Sequence, residues 1–493
     1  MVRTRDGDEV DLLASSIRTT GGAVVSTTLY VLSGIVYAFV TSPAATGQYF
    51  FIALTIALVL RPVRGLSQTL QKLGSETGES VSAYLGLATV FAVGYVAVVV
   101  CLAWLGLDVL DGLAVFSRDL FGLAALFAVA TALTKIVESL VAAAGYPSAV
   151  TWLNSLKSGS QLVVLLLLNP AIATAADLMA VVIVTRVGVF GLAWVAVGVV
   201  PGRPDRTELG RAWEFARWSI PDQILDRFSY NMPVYVLGVV ATPVAVGVYE
   251  TADRFADFGA TISWQLSSPL LTKVSGDTAA GADVREYLDA AVTGGTGVTF
   301  VVLGYLLATH GIVADIAFSS ARTAFSTTVL LVGTVNVFRG FWTLASHAIE
   351  GVGRPSVSFR TKVVGLAVGA PVTAIFGAEM GAIAGAAGYA VMNLAVCGYV
   401  AYHAREIFGT WLVDWTVALR LCLGLGTTLL GASVSVDLLG RAGLSPIAVA
   451  VLTALVAVAV FAATIAAVSR RARHAFEQAY SIYVGDVRGA LGR

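Results

Sequence analysis

Charged side chains inside long apolar segments are the residues of this chain best suited to chemistry. Arginines occupy five such positions: Arg61, Arg64, Arg227, Arg254 and Arg339. A charge at the centre of a membrane-spanning helix costs about 2.5 to 3.5 kcal/mol on insertion scales, so it normally faces a wet cavity or a partner. A guanidinium stays charged when desolvated and can grip phosphate oxygens with two parallel hydrogen bonds. Several arginines lining one cavity would suit a diphosphate.

Arg61 and Arg64 form the clearest pair of candidate ligands. They are three residues apart, and their helical face continues through Gln68 and Gln71. Pro62 lies between them and predicts a kink in the helix. Arg61, Arg64 and Arg339 have no carboxylate at helical spacing, which favours an anionic ligand over a structural ion pair.

Acidic residues form a second group of candidates: Asp226, Glu250, Asp253 and Asp257. Positions 250, 253, 254 and 257 share one face of a helix, and Glu250 is spaced for an ion pair with Arg254. Two interpretations stay open for such neighbours, namely structural pairs that pin helix to helix, or charges that face a ligand. They apply to three pairs: Arg254 with Glu250, Arg227 with Asp226, and Lys135 with Glu138.

The composition predicts the elements that position these charges. Of 493 residues, 57% are hydrophobic and 13% are charged, about half the charge of a typical soluble protein. Apolar runs of roughly 20 residues predict about fourteen spanning helices. The fold class is therefore an all-α polytopic membrane protein.

Cofactor and metal chemistry finds no support in the sequence. The three cysteines and four histidines are scattered without ligand spacing. No phosphate-binding loop of the Gly-x-x-x-x-Gly-Lys type is present, which argues against direct use of ATP. We expect no cofactor, no metal and no nucleic-acid partner.

Two motifs repeat in the same order in the two halves of the chain. Pro43 to Tyr49 recurs as Pro243 to Tyr249, and Gly145-Tyr146-Pro147-Ser148 recurs as Gly353-Arg354-Pro355-Ser356. Such duplication is typical of secondary transporters. It predicts five segments: a six-helix bundle over 1–201, a cytoplasmic linker over 202–214, a second six-helix bundle over 215–404, two additional helices over 405–469 and a basic tail over 470–493.

Basic residues indicate the orientation. They concentrate in alternate connections and in both tails: Arg3, Arg5, Arg18, Lys72, Arg203, Arg206, Arg211, Lys273, Arg285, Arg354, Arg360, Lys362, Arg405, Arg470, Arg471 and Arg473. The other connections hold three: Arg118, Arg322 and Arg441. The positive-inside rule then places both termini in the cytoplasm and the protein in the cell membrane. The tail either lies on the anionic membrane surface or is solvated.

With these motifs, the chain resembles the oligosaccharide flippase branch of the multidrug/oligosaccharidyl-lipid/polysaccharide exporter superfamily. The likeness extends from about Leu12 to Arg470. Gly47-x-Tyr49, and Gly247-x-Tyr249 followed by Arg254, are similar to the family's Gly-x-Tyr corners.

The resemblance implies a function. Two six-helix bundles would open alternately inward and outward and move a polyprenyl-linked oligosaccharide between leaflets. Cationic residues would engage the lipid phosphate and the sugar, for which we take Arg61, Arg64, Arg227, Arg254 and Arg339. The acidic group, Asp226, Glu250, Asp253 and Asp257, would couple transport to a proton or sodium ion. The implied partners are the lipid-linked oligosaccharide, membrane lipids, and polysaccharide polymerases or glycosyltransferases.

Three alternatives remain. A cation-coupled exporter of drugs or metabolites belongs to the same superfamily, but such exporters usually have twelve spans and an acidic site. A membrane enzyme of polysaccharide assembly would need a large outer loop, which the sequence lacks. A non-transporting scaffold would gain nothing from so many costly buried ions. We therefore expect a transporter and not an enzyme.

Overall fold

The computed structural model describes residues 12–74, 80–113, 115–279, 285–352, 354–409 and 415–468. Within these ranges the chain forms α-helices and a few short 3-10 helices, and no strand. The α-helices, in chain order, are α1 (Leu12–Val40), α2 (Pro43–Val59), α3 (Arg61–Gly74), α4 (Val81–Leu105), α5 (Leu107–Asp111), α6 (Phe121–Ala143), α7 (Pro147–Leu167), α8 (Ala175–Val197), α9 (Arg206–Tyr230), α10 (Met232–Val240), α11 (Pro243–Ala279), α12 (Arg285–Phe318), α13 (Arg322–Gly351), α14 (Pro355–Met380), α15 (Ala382–Phe408), α16 (Trp415–Arg441) and α17 (Pro446–Val468).

The described residues form seventeen α-helices, more than the roughly fourteen predicted spans, because some spans are interrupted. Two spans are each broken into a pair of helices, α2 with α3 and α9 with α10, and α5 is a single short turn. Eight stretches of the described residues are long and apolar enough to cross a membrane, or nine with the bent pair α2 and α3. One of the eight, Gly295–Glu350, covers most of α12 and nearly all of α13. The predicted fold class, an all-α multi-pass membrane protein, is confirmed.

The repeated corner motifs begin two helices in the same way. Pro43 and Pro243 are the first residues of α2 and α11, where a missing N–H leaves no helical hydrogen bond unmade. The residue before each proline caps the helix, because Ser42 Oγ accepts from the Ala45 amide at 3.2 Å and Thr242 Oγ1 accepts from the Ala245 amide at 3.4 Å. The sequence repeat is therefore a repeat in local structure.

The second repeated motif, Gly-x-Pro-Ser, has a similar backbone hydrogen bond in both halves of the chain. The Tyr146 amide donates to the Val141 carbonyl at 3.1 Å, and the Arg354 amide donates to the Ile349 carbonyl at 3.2 Å. Gly145 supplies the left-handed backbone of the first turn, with φ of 88°. Gly353, its predicted counterpart, lies outside the described residues.

The helices group into two compact units. Of the described residues, unit 1 holds those up to Arg254 together with Ala370–Gly388, and unit 2 holds Phe255–Gly369 together with those from Tyr389 onward. The predicted division at 201, 214, 404 and 469 follows the sequence repeat instead, and it stays a prediction. The predicted basic tail, 470–493, lies outside the described residues.

The core of unit 1 comes from the first half of the chain. Helices α3, α4 and α6 pack together around Leu85, Val137 and Leu140. A second cluster joins α2, α6 and α8 around Phe50 and Leu178. These apolar layers hold the helices that carry the charged residues.

Unit 2 has its own core. Helices α12 and α13 pack against each other, and α16 and α17 pack against α12. A cluster from α11, α13, α14 and α15 includes Val274, Leu344 and Val400. Helices α16 and α17, which lie in the segment predicted to follow the second bundle, thus pack against α12 of unit 2.

Candidate functional site

Two broken helices of unit 1 position the first candidate arginines. The axis bends by 46° between α2 and the start of α3, which confirms the kink predicted from Pro62. Arg61 is the first residue of α3, directly after the break. The second break, at Asn231, lies just before Met232-Pro233 and separates α9 from α10. Helices interrupted in this way are typical of transporter binding sites.

The two broken helices pack together. Helix α3 contacts α9 and α2 contacts α10. The Tyr235 hydroxyl of α10 donates to the Leu54 carbonyl of α2 at 3.1 Å. Gly238 lies against the Phe51 ring, where a side chain on the glycine would collide. The start of α3 is thereby held beside the end of α9.

Arg61 is buried, and no carboxylate of the described residues forms an ion pair with it. The side chain is 8% exposed, and its Nη1 donates to Gln223 Oε1 of α9 at 2.8 Å. The charges acting on it are Arg64, Arg227 and Asp226. Among the described residues, Arg61, Arg64 and Arg227 therefore lie in one neighbourhood with Asp226.

Arg64 and Arg227 complete this group. Arg64 is half-buried and has no ion-pair partner among the described residues. The Arg227 Nε is buried and has no hydrogen-bond partner within the same described part of the chain. Arg227 and its sequence neighbour Asp226 belong to one helix turn of α9, and Asp226 is exposed. The three arginines present donors that an anion could use. We name Arg61, Arg64 and Arg227 the arginine group.

Arg254 has a different environment. It is 7% exposed, and its Nε donates to Glu250 Oε1 at 3.1 Å, which confirms the predicted pair. The guanidinium lies 4.3 Å from the ring centres of Tyr30 and Phe50, in a cation–π arrangement. Gly34 of α1 packs against the Arg254 stem, because a Cβ there would lie 3.0 Å from Nη1. Arg254 is an enclosed, paired cation.

Asp253 belongs to the same helix as Glu250. One carboxylate oxygen of Asp253, Oδ1, is buried and makes no hydrogen bond to the described residues. Glu250 is 4% exposed. Glu250 is therefore buried, whereas Asp253 is only partly buried.

Arg339 and Asp257 lie in unit 2 and contact each other. Arg339 Nη1 donates to Asp257 Oδ1 at 2.6 Å, with side-chain exposures of 7% and 14%. Asp257 Oδ2 also accepts from Thr261 Oγ1 at 3.2 Å. The sequence shows no carboxylate at helical spacing from Arg339 within its own helix. The partner comes instead from another helix, α11. Four of the five predicted arginines are therefore in unit 1, and the fifth is ion-paired in unit 2.

Several residues of these sites carried no signal in the sequence. Gln223, Tyr30 and Phe50 are ordinary residues of spanning helices until the fold brings them to an arginine. Among the described residues no group of three or more His, Cys, Asp and Glu side chains could hold a metal ion.

Solved structures that share the fold of this chain identify its architecture. A structure described as the lipid II flippase MurJ in an inward closed conformation matches with a TM-score of 0.66 and 13% identity, covering 91% of this chain and 98% of that one. An inward-facing multidrug resistance MATE family transporter of the MOP superfamily matches with a TM-score of 0.65 and 13% identity, covering 80% of this chain and 98% of that one. The chain has the fold of MOP superfamily transporters.

A third solved structure with the MOP fold is described by the polarity of its binding pocket. It is a MOP superfamily transporter from Pyrococcus furiosus, with a TM-score of 0.56 and 12% identity, covering 81% of this chain and 96% of that one, described by a reverse polarity of its binding pocket that suggests a different function. No protein-family model matches the chain, and no curated protein sequence matches it. The MOP fold agrees with the resemblance drawn from the Gly-x-Tyr corners and the internal repeat.

Proposed function

We propose that this protein is a flippase that moves a polyprenyl-phosphate- or diphosphate-linked oligosaccharide across the cytoplasmic membrane by alternating access, for surface polysaccharide or glycoprotein assembly. The observation that carries the proposal is the arginine group. Arg61 is buried, yet its side-chain hydrogen bond goes to the neutral Gln223. Guanidinium groups with donors to spare suit the oxygens of a diphosphate.

The charge balance around the arginine group supports an anionic substrate. Three arginines and Asp226 interact there, and the Nε of Arg227 still lacks a hydrogen-bond partner among the described residues. Arg61 is buried, and a buried charge without an ion-pair partner is costly, so a ligand of opposite charge stabilises it. A lipid diphosphate supplies that charge while its polyprenyl chain stays in the bilayer. We assign the same role to Arg254 and Arg339. Each would contact the substrate after the ion pair with its carboxylate partner breaks.

The acidic residues would couple the cycle to an ion. Asp257 holds Arg339, and Glu250 holds Arg254. A proton or sodium ion on either carboxylate weakens its pair and frees an arginine for the substrate, so the ion biases one conformation over the other. We assign Asp226 and Asp253 to the same set. The breaks at Leu60 and Asn231 are points where α2–α3 and α9–α10 can bend during the cycle.

The extent of the structural match also supports the flippase. The MurJ structure covers 91% of the chain and the MATE structure 80%. The likeness to the flippase thus extends over a larger share of this chain than the likeness to the exporter.

A cation-coupled exporter of drugs or metabolites is the second candidate, favoured by the fold shared with the MATE structure. In that case Glu250, Asp253 and Asp257 would bind a cationic compound. The pairs that occupy Glu250 and Asp257 with arginines weigh against it, because a cationic substrate would have to displace a guanidinium from each.

The remaining assignments follow from the flippase. The protein would reside in the cell membrane with both termini in the cytoplasm, make and break no covalent bond, and use no cofactor. Its substrate would pass to polysaccharide polymerases or glycosyltransferases.

Reconstituted vesicles distinguish the two candidates. Purified protein in proteoliposomes is given a fluorescent polyprenyl-diphosphate saccharide, whose exposure on the outer leaflet is read by a membrane-impermeant quencher, and in parallel a cationic dye. We expect flipping of the saccharide lipid and no transport of the dye. Transport of the dye alone would overturn the proposal in favour of the exporter.

A further inference from the structure

An apolar cleft of about 480 Å³ lies in unit 1 between α2, α4, α5 and α6. Its volume is within the range of small-molecule binding sites. The described residues that line it carry no charge, and Thr55 is their only polar side chain. Such a lining offers almost nothing to a sugar or an ion, whose polar groups would lose their water there without replacement. The cleft therefore suits a hydrocarbon.

The cleft is elongated along α2. Six residues at helical spacing, from the second half of α2 and its C-cap, line one side: Phe51, Ile52, Thr55, Ile56, Val59 and Leu60. At about 1.5 Å per residue, this stripe is roughly 13 Å long. Small residues line the facing walls on α4 and α6, among them Ala103, Ala124 and Ala125, and they leave the space between the helices unfilled. An elongated apolar space fits a chain better than a compact ligand.

The cleft is lined in part by exposed apolar side chains. Leu102 of α4 and Val109 of α5 both line it, and they are 63% and 77% exposed. Exposed apolar side chains of a membrane-spanning bundle are in contact with lipid tails, which are as apolar as leucine. A hydrocarbon chain can therefore enter the cleft sideways from the bilayer while the rest of the lipid stays there.

One end of the cleft leads into the arginine group along the chain. Leu60 lines the cleft, and Arg61 follows it directly at the 46° bend. The Tyr95 hydroxyl of α4 donates to the Val59 carbonyl at 3.0 Å, which ties α4 to the wall of the cleft beside the bend. A polyprenyl diphosphate carries one chain beside its phosphates, whereas a bilayer phospholipid carries two. A single stripe along α2 favours the lipid with one chain.

We propose that this cleft holds the isoprene units nearest the diphosphate of the substrate, while the remainder of the polyprenyl chain stays in the bilayer. The inference rests on the proposed function, because the arginine group decides which end of the cleft the phosphates occupy. Burial of the chain adds to the charge pairing. A site in two parts selects a lipid-linked saccharide over a free saccharide diphosphate with the same headgroup.

Photo-crosslinking locates the chain. The purified full-length protein in nanodiscs is given a polyprenyl-diphosphate saccharide with a diazirine on an isoprene unit close to the diphosphate, or a phospholipid with a diazirine on an acyl chain. Labelled peptides are identified by mass spectrometry. We expect the polyprenyl probe to label the cleft residues of α2, α4 and α6, and the unlabelled saccharide lipid to compete. The phospholipid probe should label the cleft no more than other bilayer-facing helices.

Variants that fill the cleft provide the matched test. Ala103→Phe fills it from α4, and the control is Ala97→Phe on an exposed position of the same helix. We expect labelling of the cleft to fall about tenfold or more in Ala103→Phe, because the ring takes the place of several CH2 groups, and to be unchanged in the control. Ala125→Phe fills the cleft from α6 and gives the same test if Ala103→Phe fails to fold.

Two results would overturn the proposal: unchanged polyprenyl labelling in the folded cleft variants, or equal labelling of the cleft by the phospholipid probe. The flipping assay separates the cleft from the proposed function. Flipping of the saccharide lipid without labelling of the cleft would refute the cleft and leave the flippase standing. Labelling of the cleft without flipping would contradict the flippase and leave the cleft as a binding site for polyprenyl lipids.

Discussion

Gly47 and Gly247 pack backbone against backbone, each at the equivalent position of a repeated corner. A Cβ on Gly47 would lie 2.8 Å from the Gly247 amide nitrogen, and a Cβ on Gly247 would lie 2.9 Å from the Gly47 amide nitrogen. Each would also collide with the carbonyl of the opposite corner's proline, Pro243 or Pro43. The two motifs found 200 residues apart in the sequence are thus in reciprocal contact, where only glycine fits.

We expect Gly47→Ala and Gly247→Ala to lower the Tm of the purified protein, because the added methyl group meets backbone atoms that cannot rotate away. Overpacking of this kind costs about 1–3 kcal/mol. The control is Gly94→Ala on α4, where a Cβ has open space; helical Gly→Ala at such a site is stabilising by about 0.5–1 kcal/mol. Equal Tm values for all three variants would show that the corners are not closely packed.

Neutralising the arginine group should slow transport far more than it lowers stability. Hydrogen bonds to charged groups contribute about 1.5–3 kcal/mol, so Arg61→Gln with Arg64→Gln should reduce saccharide-lipid flipping by about tenfold or more. The matched control removes two arginines from connections, Arg118→Gln with Arg322→Gln, whose ion pairs with Asp108 and Asp315 are largely exposed. A similar loss of flipping in both double variants would point to a non-specific effect of charge.

Asp257→Asn imitates a protonated carboxylate and should uncouple transport from the ion gradient. It leaves the buried Arg339 without its charge partner, which costs about 3–5 kcal/mol of stability, so the Tm should fall. Adding Arg339→Gln should restore much of the Tm without restoring transport. The control is Asp315→Asn, since its pair with Arg322 is exposed and worth about 0–1 kcal/mol. An Asp257→Asn protein with normal gradient dependence would contradict the coupling role.

Gly34→Ala should act through Arg254. The new methyl group would push the arginine stem out of contact with Tyr30 and Phe50. We expect the same transport defect as in Arg254→Gln, and a double variant no worse than either single one, because both remove the same cation from its place. Gly188→Ala on α8, where a Cβ meets no atom within 4 Å, is the control. Additive defects would show that Gly34 acts independently of Arg254.

The sequence predicted most of the fold because apolar length and repeated corners are local signals. Pro62 predicted the bend at Arg61, and the spacing of Glu250 and Arg254 predicted their ion pair. Partners from other helices could not be predicted. Gln223 is 162 residues from Arg61, and Asp257 is 82 residues from Arg339. Periodicity orders side chains around one helix, but packing decides which helix faces them.

The central claim is that buried arginines bind a lipid-linked anion during its transfer between leaflets. Its most direct test is leaflet-resolved quantification of lipid-linked oligosaccharide in cells that have the protein, lack it, carry Arg61→Gln with Arg64→Gln, or carry the control Arg118→Gln with Arg322→Gln. We predict build-up in the cytoplasmic leaflet when the protein is absent or its arginine group is neutralised, and normal sidedness in the control. Unchanged sidedness in all four strains would contradict the claim.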